Sequence, residues 1–388
     1  MAMEVVILSG VRTPIGTFLG SLKDVTAQTL CARVIEEAVR RAGLDASRID
    51  EAILGNNLAT DSRSNIAREA MLETSLPREI PAFTVGKACG SGLKSIALAA
   101  TTIQAGQADF VVAGGTENMS RAPYIVQGAR TGFRLKHVEM TDSLLMTLDG
   151  MGLTAERLVE KYRISRQEQD AYACQSQTRA AAAQKAGLFE SQILAIAIPQ
   201  RKGDPIVFKQ DENLRPTTTR EGLAALRPVF LEGGTVTAGN SSTINDGAAA
   251  LIVASAEKAR ALGLKPLVRI KAAAAAGCDP AIMGIGPVNA TRKLMKQTGM
   301  QLDDFDLVEL NEAFAAQTLA VCRELPFKSD RLNPLGGAIA LGHPVGASGA
   351  ILIVKLIHEM KRRQVATGLA TICIGGGQGL SIALENVG

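Results

Sequence analysis

"RAGLDASRIDEAILGN", residues 41–56, and "QTGMQLDDFDLVELNE", residues 297–312, repeat one pattern. In each, a helix-like segment stops at a glycine, Gly43 or Gly299, and an aspartate, Asp50 or Asp306, then precedes an apolar strand; both pairs stand 256 positions apart. Glycine just past the last periodic residue is a helix stop. Working outward, "CGSGLKSIALAA" (89–100) meets its counterpart in "GASGAILIVKLI" (346–357), with Ser91 and Ser348 257 positions apart. Each of these helix patterns leads to a strand ending in glycines, "DFVVAGG" (109–115) and "ATICIGGG" (370–377). One α/β unit is used twice. Strand-like and helix-like runs alternate near the start as well, where "VVILSG" is followed by "AQTLCARVIEEAVRRAG". Such alternation favours layered α/β structure with parallel strands.

Between the halves, about residues 119–235, the character changes. A charged, alanine-rich helix pattern, "SRQEQDAYACQSQTRAAAAQKAGLF", is followed by the polar, proline-containing loop "PQRKGDPIVFKQDENLRPTTTREG". An insertion between core strands often carries ligand contacts. The expected division is an N-terminal half over 1–262, containing this inserted loop domain, and a C-terminal half over 263–388.

The 388 residues are 46% hydrophobic, enough for a large core, and carry a formal charge of +4 without a basic or acidic block. That balance argues against nucleic acid as a partner and suits a polyanionic small molecule at one patch. No apolar run reaches membrane-spanning length, since "ILIVKLI" is interrupted by Lys355. Nor does the start of the chain read as a targeting segment, so the expected location is cytoplasmic. Six scattered cysteines without a C-x-x-C pair, and three histidines, suggest neither a disulfide framework nor a metal site.

Cys89 draws attention because it falls between a strand-like run and a helix-like one, among Ala88, Gly90, Ser91 and Gly92. Small neighbours leave room for a carbonyl to approach. The positive end of a helix favours a thiolate, so a lowered thiol pKa is expected there. Most lone cysteines are inert, buried small residues, and Cys89 alone does not decide between the two readings. Cys31, Cys174, Cys278 and Cys322 have no such surroundings, and His137 and His358 are expected to be solvated.

At the equivalent strand ends of the second half stand "NEAFAAQ" with Asn311, "GGAIALGHPVGASGA" with His343 and "CIGGGQG" with Cys373. With "CGSG", and with "VRTPIGTFLG" near the start, these motifs resemble the thiolase family in order and spacing over nearly the whole chain. The resemblance implies two similar α/β halves packed as a five-layer α-β-α-β-α core with an inserted loop domain. It implies reversible Claisen chemistry on 3-ketoacyl-CoA, with coenzyme A and acetyl-CoA as substrates and no permanently bound cofactor. It also implies a homodimer or homotetramer.

Carried over by resemblance, Cys89 is the acyl-accepting nucleophile and His343 takes its proton. A cysteine suits because its thioester is activated and reversible. Cys373 is the second acid/base, a role that a thiol can fill in both directions. Asn311 orients a water which, with His343, donates to a thioester oxygen. The backbone N–H groups of Cys89 and Gly375 form a second oxyanion hole. Arg215 matches a family residue near the adenine of coenzyme A, and Phe230, Ala238, Ser242, Met151 and Phe314 match the channel for its pantetheine arm; a solvated charge and core apolar side chains remain the alternative. "GGGQG" also resembles a nucleotide-binding loop, but that fingerprint needs a following helix, whereas "LSIALENVG" reads as a strand.

One departure concerns acyl preference. Many acetoacetyl-CoA thiolases carry a histidine directly before "MGxTAE", where this chain has Gly150. Leu144, Leu145, Met146 and Leu148 are then candidates for an apolar acyl pocket. Two alternatives come with the fold: a decarboxylating ketoacyl synthase, which has a second histidine where this chain has Asn311 or Cys373, and a non-catalytic acyl-CoA or lipid carrier, which lacks one of the four motif residues.

Overall fold

A computed structural model describes residues 3–60, 62, 64–133, 137–148 and 150–387. The strands of the central sheet are β1 (Val5–Arg12), β2 (Glu51–Gly55), β3 (Ala82–Val85), β4 (Phe110–Asn118), β5 (Asn245–Ser255), β6 (Val268–Gly277), β7 (Leu307–Leu310), β8 (Thr367–Ile374) and β9 (Gln378–Asn386). They run in the order β7-β8-β9-β6-β1-β5-β4-β2-β3, with the short strand Gly16–Thr17 joining β5 off this path. The order within β1-β5-β4-β2 repeats as β6-β9-β8-β7 in the second half, and the halves join where β1 pairs with β6 through Val6 and Ile7.

The helices used below are α1 (Ala27–Ala42), α2 (Ser91–Gln104), α3 (Met151–Tyr162), α4 (Arg166–Lys185), α5 (Gly286–Thr298), α6 (Ala315–Glu324) and α7 (Val345–Arg363). α2 and α7 pack on each other between the two parts of the sheet, α1 covers the outer face of the first part and α5 that of the second. Helix, sheet, helix pair, sheet and helix make five layers. Strands covered on both faces need no polar side, and every residue of β1 and β5 is buried.

The repeated phrase has a mechanical origin. Gly43 ends α1 and Gly299 ends α5, at φ +63° and +74°. The aspartates that follow clamp the neighbouring strand start: Asp50 accepts from the N–H groups of Asp109 and Phe110, and Asp306 from those of Ala366 and Thr367. Each thereby fixes the entry of β4 or β8, the strands that lead toward the site.

Alternation of helices and strands favours parallel pairing, and here the sheet departs from that expectation. Among the described strands of this sheet only β2–β3, β2–β4 and β7–β8 pair parallel, while β5 lies antiparallel between β1 and β4, and β9 antiparallel between β6 and β8. The reason is connectivity. β8 turns directly into β9 through Gly375–Gly377, and β4 returns to β5 only after the long polar excursion. β9 follows the glycine cluster as a strand, which removes the nucleotide-loop reading.

α4 opens with a capping box, Ser165 and Glu168 satisfying each other's backbone N–H groups. Arg12, fully buried, anchors the polar loop: its guanidinium donates twice to Asp211 and its Nε to Gln192 Oε1, with the Phe189 ring 5.4 Å away. Lys355, which interrupts the apolar helix, is also buried, donating to Glu309 at 2.8 Å and to the carbonyl of Gly336 at 2.7 Å. Among the described residues no helix is long and apolar enough to cross a membrane.

Candidate active site

Cys89 sits in a one-turn 3₁₀ segment, Ala88–Gly90, between the end of β3 and the start of α2. Ala88 adopts φ +44°, the left-handed region, which turns the chain sharply enough to present the thiol. The thiol faces a cavity of about 980 Å³ that Cys89, His343 and Gly375 line together with Arg215, Phe230, Ala238, Ser242, Met151 and Phe314. The Cys89 and Gly375 N–H groups lie near enough to the Cys89 sulfur to pull its thiol pKa down.

The sulfur departs from the expected thiolate. Burial pushes the Cys89 thiol up to about 11, although the Gly375 and Cys89 N–H groups pull it down, and the nearby Glu117 charge adds to the rise. A helix end stabilises an anion by a modest amount, and removing a thiolate from water costs more here. At rest Cys89 is therefore a neutral thiol, which would need a base to act as a nucleophile.

His343 supplies a suitably oriented ring. Its Nδ1 is 2.6 Å from Ser348 Oγ, and that hydroxyl donates to the carbonyl of Pro344 at 2.8 Å. With its proton committed, Ser348 accepts from Nδ1–H, which leaves the lone pair on Nε2. Nε2 is buried and makes no hydrogen bond among the described residues. Burial holds the imidazole down at about 4, so the neutral, proton-accepting form prevails near neutrality.

Cys373 and Asn311 are both buried and are not among the residues that line the cavity. Cys373 packs with Met283, Ala313, Phe314 and Met151, and burial raises its thiol well above the ordinary range. Asn311 follows β7, donates its N–H to the carbonyl of Thr371, and leaves Nδ2 unpaired. Its neighbour Glu312 accepts from Tyr172, Ser176, Asn333 and the Ile339 N–H, tying α4 and the loop toward His343 to the same strand end.

Phe230 and Phe314 meet edge to face, centroids 6.0 Å apart. Phe230 is exposed, as are Arg215 and Ala238, whereas Phe314 is buried. Gly150 also borders the cavity, at φ +72° with open space around a Cβ built on it. Leu145 and Met146 line the cavity, Leu144 packs beside Cys89, and the Leu148 side chain lies outside the described residues. His137 is exposed as expected. His358 is not solvated: Ser191 Oγ and the Gly10 carbonyl engage its two ring nitrogens, and burial lowers it to about 4.

The sequence reading missed Ser348, Glu312 and Glu117. Ser348 stood within the repeat, and Glu312 directly after Asn311; both roles appear only with the tertiary contacts.

Comparison with known proteins identifies the class first: an acyltransferase on a duplicated α/β scaffold. The chain belongs to the thiolase family, matching the model "Thiolase, N-terminal domain" over residues 5–257 and "Thiolase, C-terminal domain" over 264–386. It is 52% identical to an acetyl-CoA acetyltransferase of Pseudomonas aeruginosa, over 98% of this chain and 99% of that one. It is 50% identical to a probable acetyl-CoA acyltransferase of Staphylococcus aureus, with the same coverage. The solved acetyl-CoA acetyltransferase of Bacillus anthracis superposes with a TM-score of 0.98 at 45% identity, covering 100% of this chain and 99% of that one. Human mitochondrial 3-ketoacyl-CoA thiolase in complex with CoA does so at 0.96 and 42%, covering all of both chains. These relatives favour neither the decarboxylating synthase nor the non-catalytic carrier.

Proposed function

We propose that this thiolase cleaves or forms the C2–C3 bond of 3-ketoacyl-CoA through an acyl thioester on Cys89. In cleavage, the Cys89 sulfur attacks the C3 carbonyl while its proton passes to His343 Nε2. The C2–C3 bond breaks, its electron pair goes to C2, and the resulting enolate takes the proton of Cys373. Acetyl-CoA leaves. The thiol of a second coenzyme A gives its proton to Cys373 and attacks the acyl thioester, and the departing Cys89 sulfur takes back the proton held on His343.

The observation carrying this reading is that Cys89, the Gly375 backbone and His343 line one cavity, with the His343 Nε2 unpaired among the described residues. Neutral partners are well matched, since the proton leaves Cys89 only as the sulfur attacks. The N–H groups of Cys89 and Gly375 then hold the acyl oxygen, and Asn311, through a water shared with His343, the other thioester oxygen. Coenzyme A is the substrate that suits the cavity: Phe230, Met151, Phe314, Ala238 and Ser242 border a path for the pantetheine arm, with Arg215 exposed at its side. The test follows the absorbance of the magnesium enolate of acetoacetyl-CoA. Loss only when free coenzyme A is added is the expected result; no loss at high enzyme concentration contradicts it.

Acyl preference follows from Gly150. An imidazole is missing from the pocket side, the space around Gly150 is open, and Leu145 and Met146 add apolar lining. Each buried methylene is worth about 0.8 kcal/mol, so substrates of about four to eight carbons are expected to react. A fall in kcat/KM of more than about a hundredfold from four carbons to six, about 2.7 kcal/mol, contradicts the wide pocket.

A further inference from the structure

Two helix N-termini converge beside Cys89. α2 starts at Ser91 and α7 at Val345, two residues after Cys89 and after His343 respectively. Their backbones meet closely: a Cβ on Gly92 would lie 2.8 Å from the carbonyl oxygen of Gly346, and one on Gly115 2.2 Å from the same atom. On the other side of that residue the Gly346 N–H donates to Glu117 Oε2 at 2.9 Å. The same oxygen accepts from the Asn57 N–H at 3.0 Å, while Oε1 accepts from Asn56 Nδ2 at 2.8 Å and the Leu58 N–H at 3.2 Å. Glu117 is fully buried, and all four donors are neutral. Burying a carboxyl without a cation is costly, and these contacts are what it secures.

We propose that Glu117 is a positioning residue of the reaction, clamping the helix end that carries His343 to the strand end and loop beside Cys89. The inference rests on the roles of Cys89 and His343 proposed above. Toward His343, the clamp acts on the first turn of α7, where the Pro344 carbonyl and the Ser348 hydroxyl orient the imidazole. Toward Cys89, it holds the segment after β2, whose Leu58 packs with Leu144 and Val345 against the thiol. The carboxylate also offsets the two positive helix ends. Its charge opposes a thiolate on Cys89, so proton removal is left to His343. Among the described residues, the titratable groups near Cys89 besides Glu117 include Cys373, which feels its charge, His343 across the cavity, and Lys87 at the start of its own turn. Burial raises the Glu117 carboxyl to about 7 against its four donors, so above that pH the charge is in place.

The experiment uses the full-length enzyme with Glu117→Gln and Glu117→Asp. Thiolysis of acetoacetyl-CoA gives kcat and KM, and mass spectrometry gives the rate at which iodoacetamide alkylates Cys89. For Glu117→Gln, kcat is expected to fall about ten- to a hundredfold with KM within about threefold, the split of a group acting on the transition state. Alkylation of Cys89 at about pH 8 is expected to run about three- to tenfold faster, because the opposing charge is gone. Glu117→Asp keeps the charge but withdraws it by a methylene; kcat should fall similarly without faster alkylation. Wild-type kcat in either variant overturns the proposal, as does unchanged or slower alkylation in Glu117→Gln. If Glu117→Gln does not fold, the kcat of Glu117→Asp decides alone. Persistence of an acetyl adduct in Cys89→Ala is a different failure, striking the nucleophile assignment; its loss there, with wild-type behaviour of the Glu117 variants, refutes the clamp only.

Discussion

His343 is the residue where orientation and protonation are decided together. Ser348 commits its own proton to the Pro344 carbonyl, so it reads the imidazole as a donor at Nδ1 and leaves Nε2 basic. Burial lowers the imidazole to about 4. A base must be neutral to accept a proton, so acylation of Cys89 is lost as pH falls through that value and is retained between it and the 6.5 of a free imidazole. A pH profile of the acetylation half-reaction with its acid limb well below 6.5 is therefore expected; a limb at 6.5 contradicts the burial account. Cys89, Asn311, His343 and Cys373 were singled out in the sequence because the short motifs around them resemble those of thiolases, and such motifs are local features. The state of Cys89 was not: a helix start suggests a thiolate, yet the outcome depends on burial and on Glu117, 28 positions away in the chain. Gly150 shows the same limit. Its identity was plain, while its left-handed φ means that histidine at this place carries a backbone cost as well as bulk.

At the scale of elements, the duplicated phrase was readable because glycine caps and clamping aspartates sit at fixed offsets from the strands they serve. The direction of pairing was not, since β5 reaches β4 only through a loop whose length says nothing about which edge it returns to. Where the start of α7 meets β4, close approach is built from glycines. A Cβ on Gly115 would face the Gly346 carbonyl oxygen at 2.2 Å and the Gly55 carbonyl oxygen at 3.1 Å, all backbone and unable to rotate away. Gly115→Ala is expected to destabilise the protein by about 1–3 kcal/mol, as overpacking does. Urea denaturation measures this, and an unshifted midpoint means the helix ends can yield.

For the whole molecule, the sheet leaves its two ends in different states. β7 is fully buried, with Leu332 bridging to Val308 along its edge, whereas β3 is the opposite edge and exposes Phe83. An open edge with an exposed aromatic is commonly covered by a second chain. A homodimer at least is expected in light scattering; a stable, active monomer at micromolar concentration contradicts this. The buried pairs Arg12–Asp211 and Lys355–Glu309 that lock the inserted loop and α7 in place were invisible in the sequence, because partners 199 and 46 positions apart carry no local signature.

On the proposed mechanism Cys89 carries the acyl group while Cys373 moves protons without carrying it, and intact-mass measurement after incubation with acetyl-CoA separates the two. The wild-type chain and Cys373→Ala should each gain one acetyl group, and Cys89→Ala none. Cys373→Ala should meanwhile lose about a hundredfold or more of its carbon–carbon bond turnover, the usual weight of a positioned acid/base. Undiminished acetylation of Cys89→Ala, or equal loss of both steps in Cys373→Ala, would contradict the assignment.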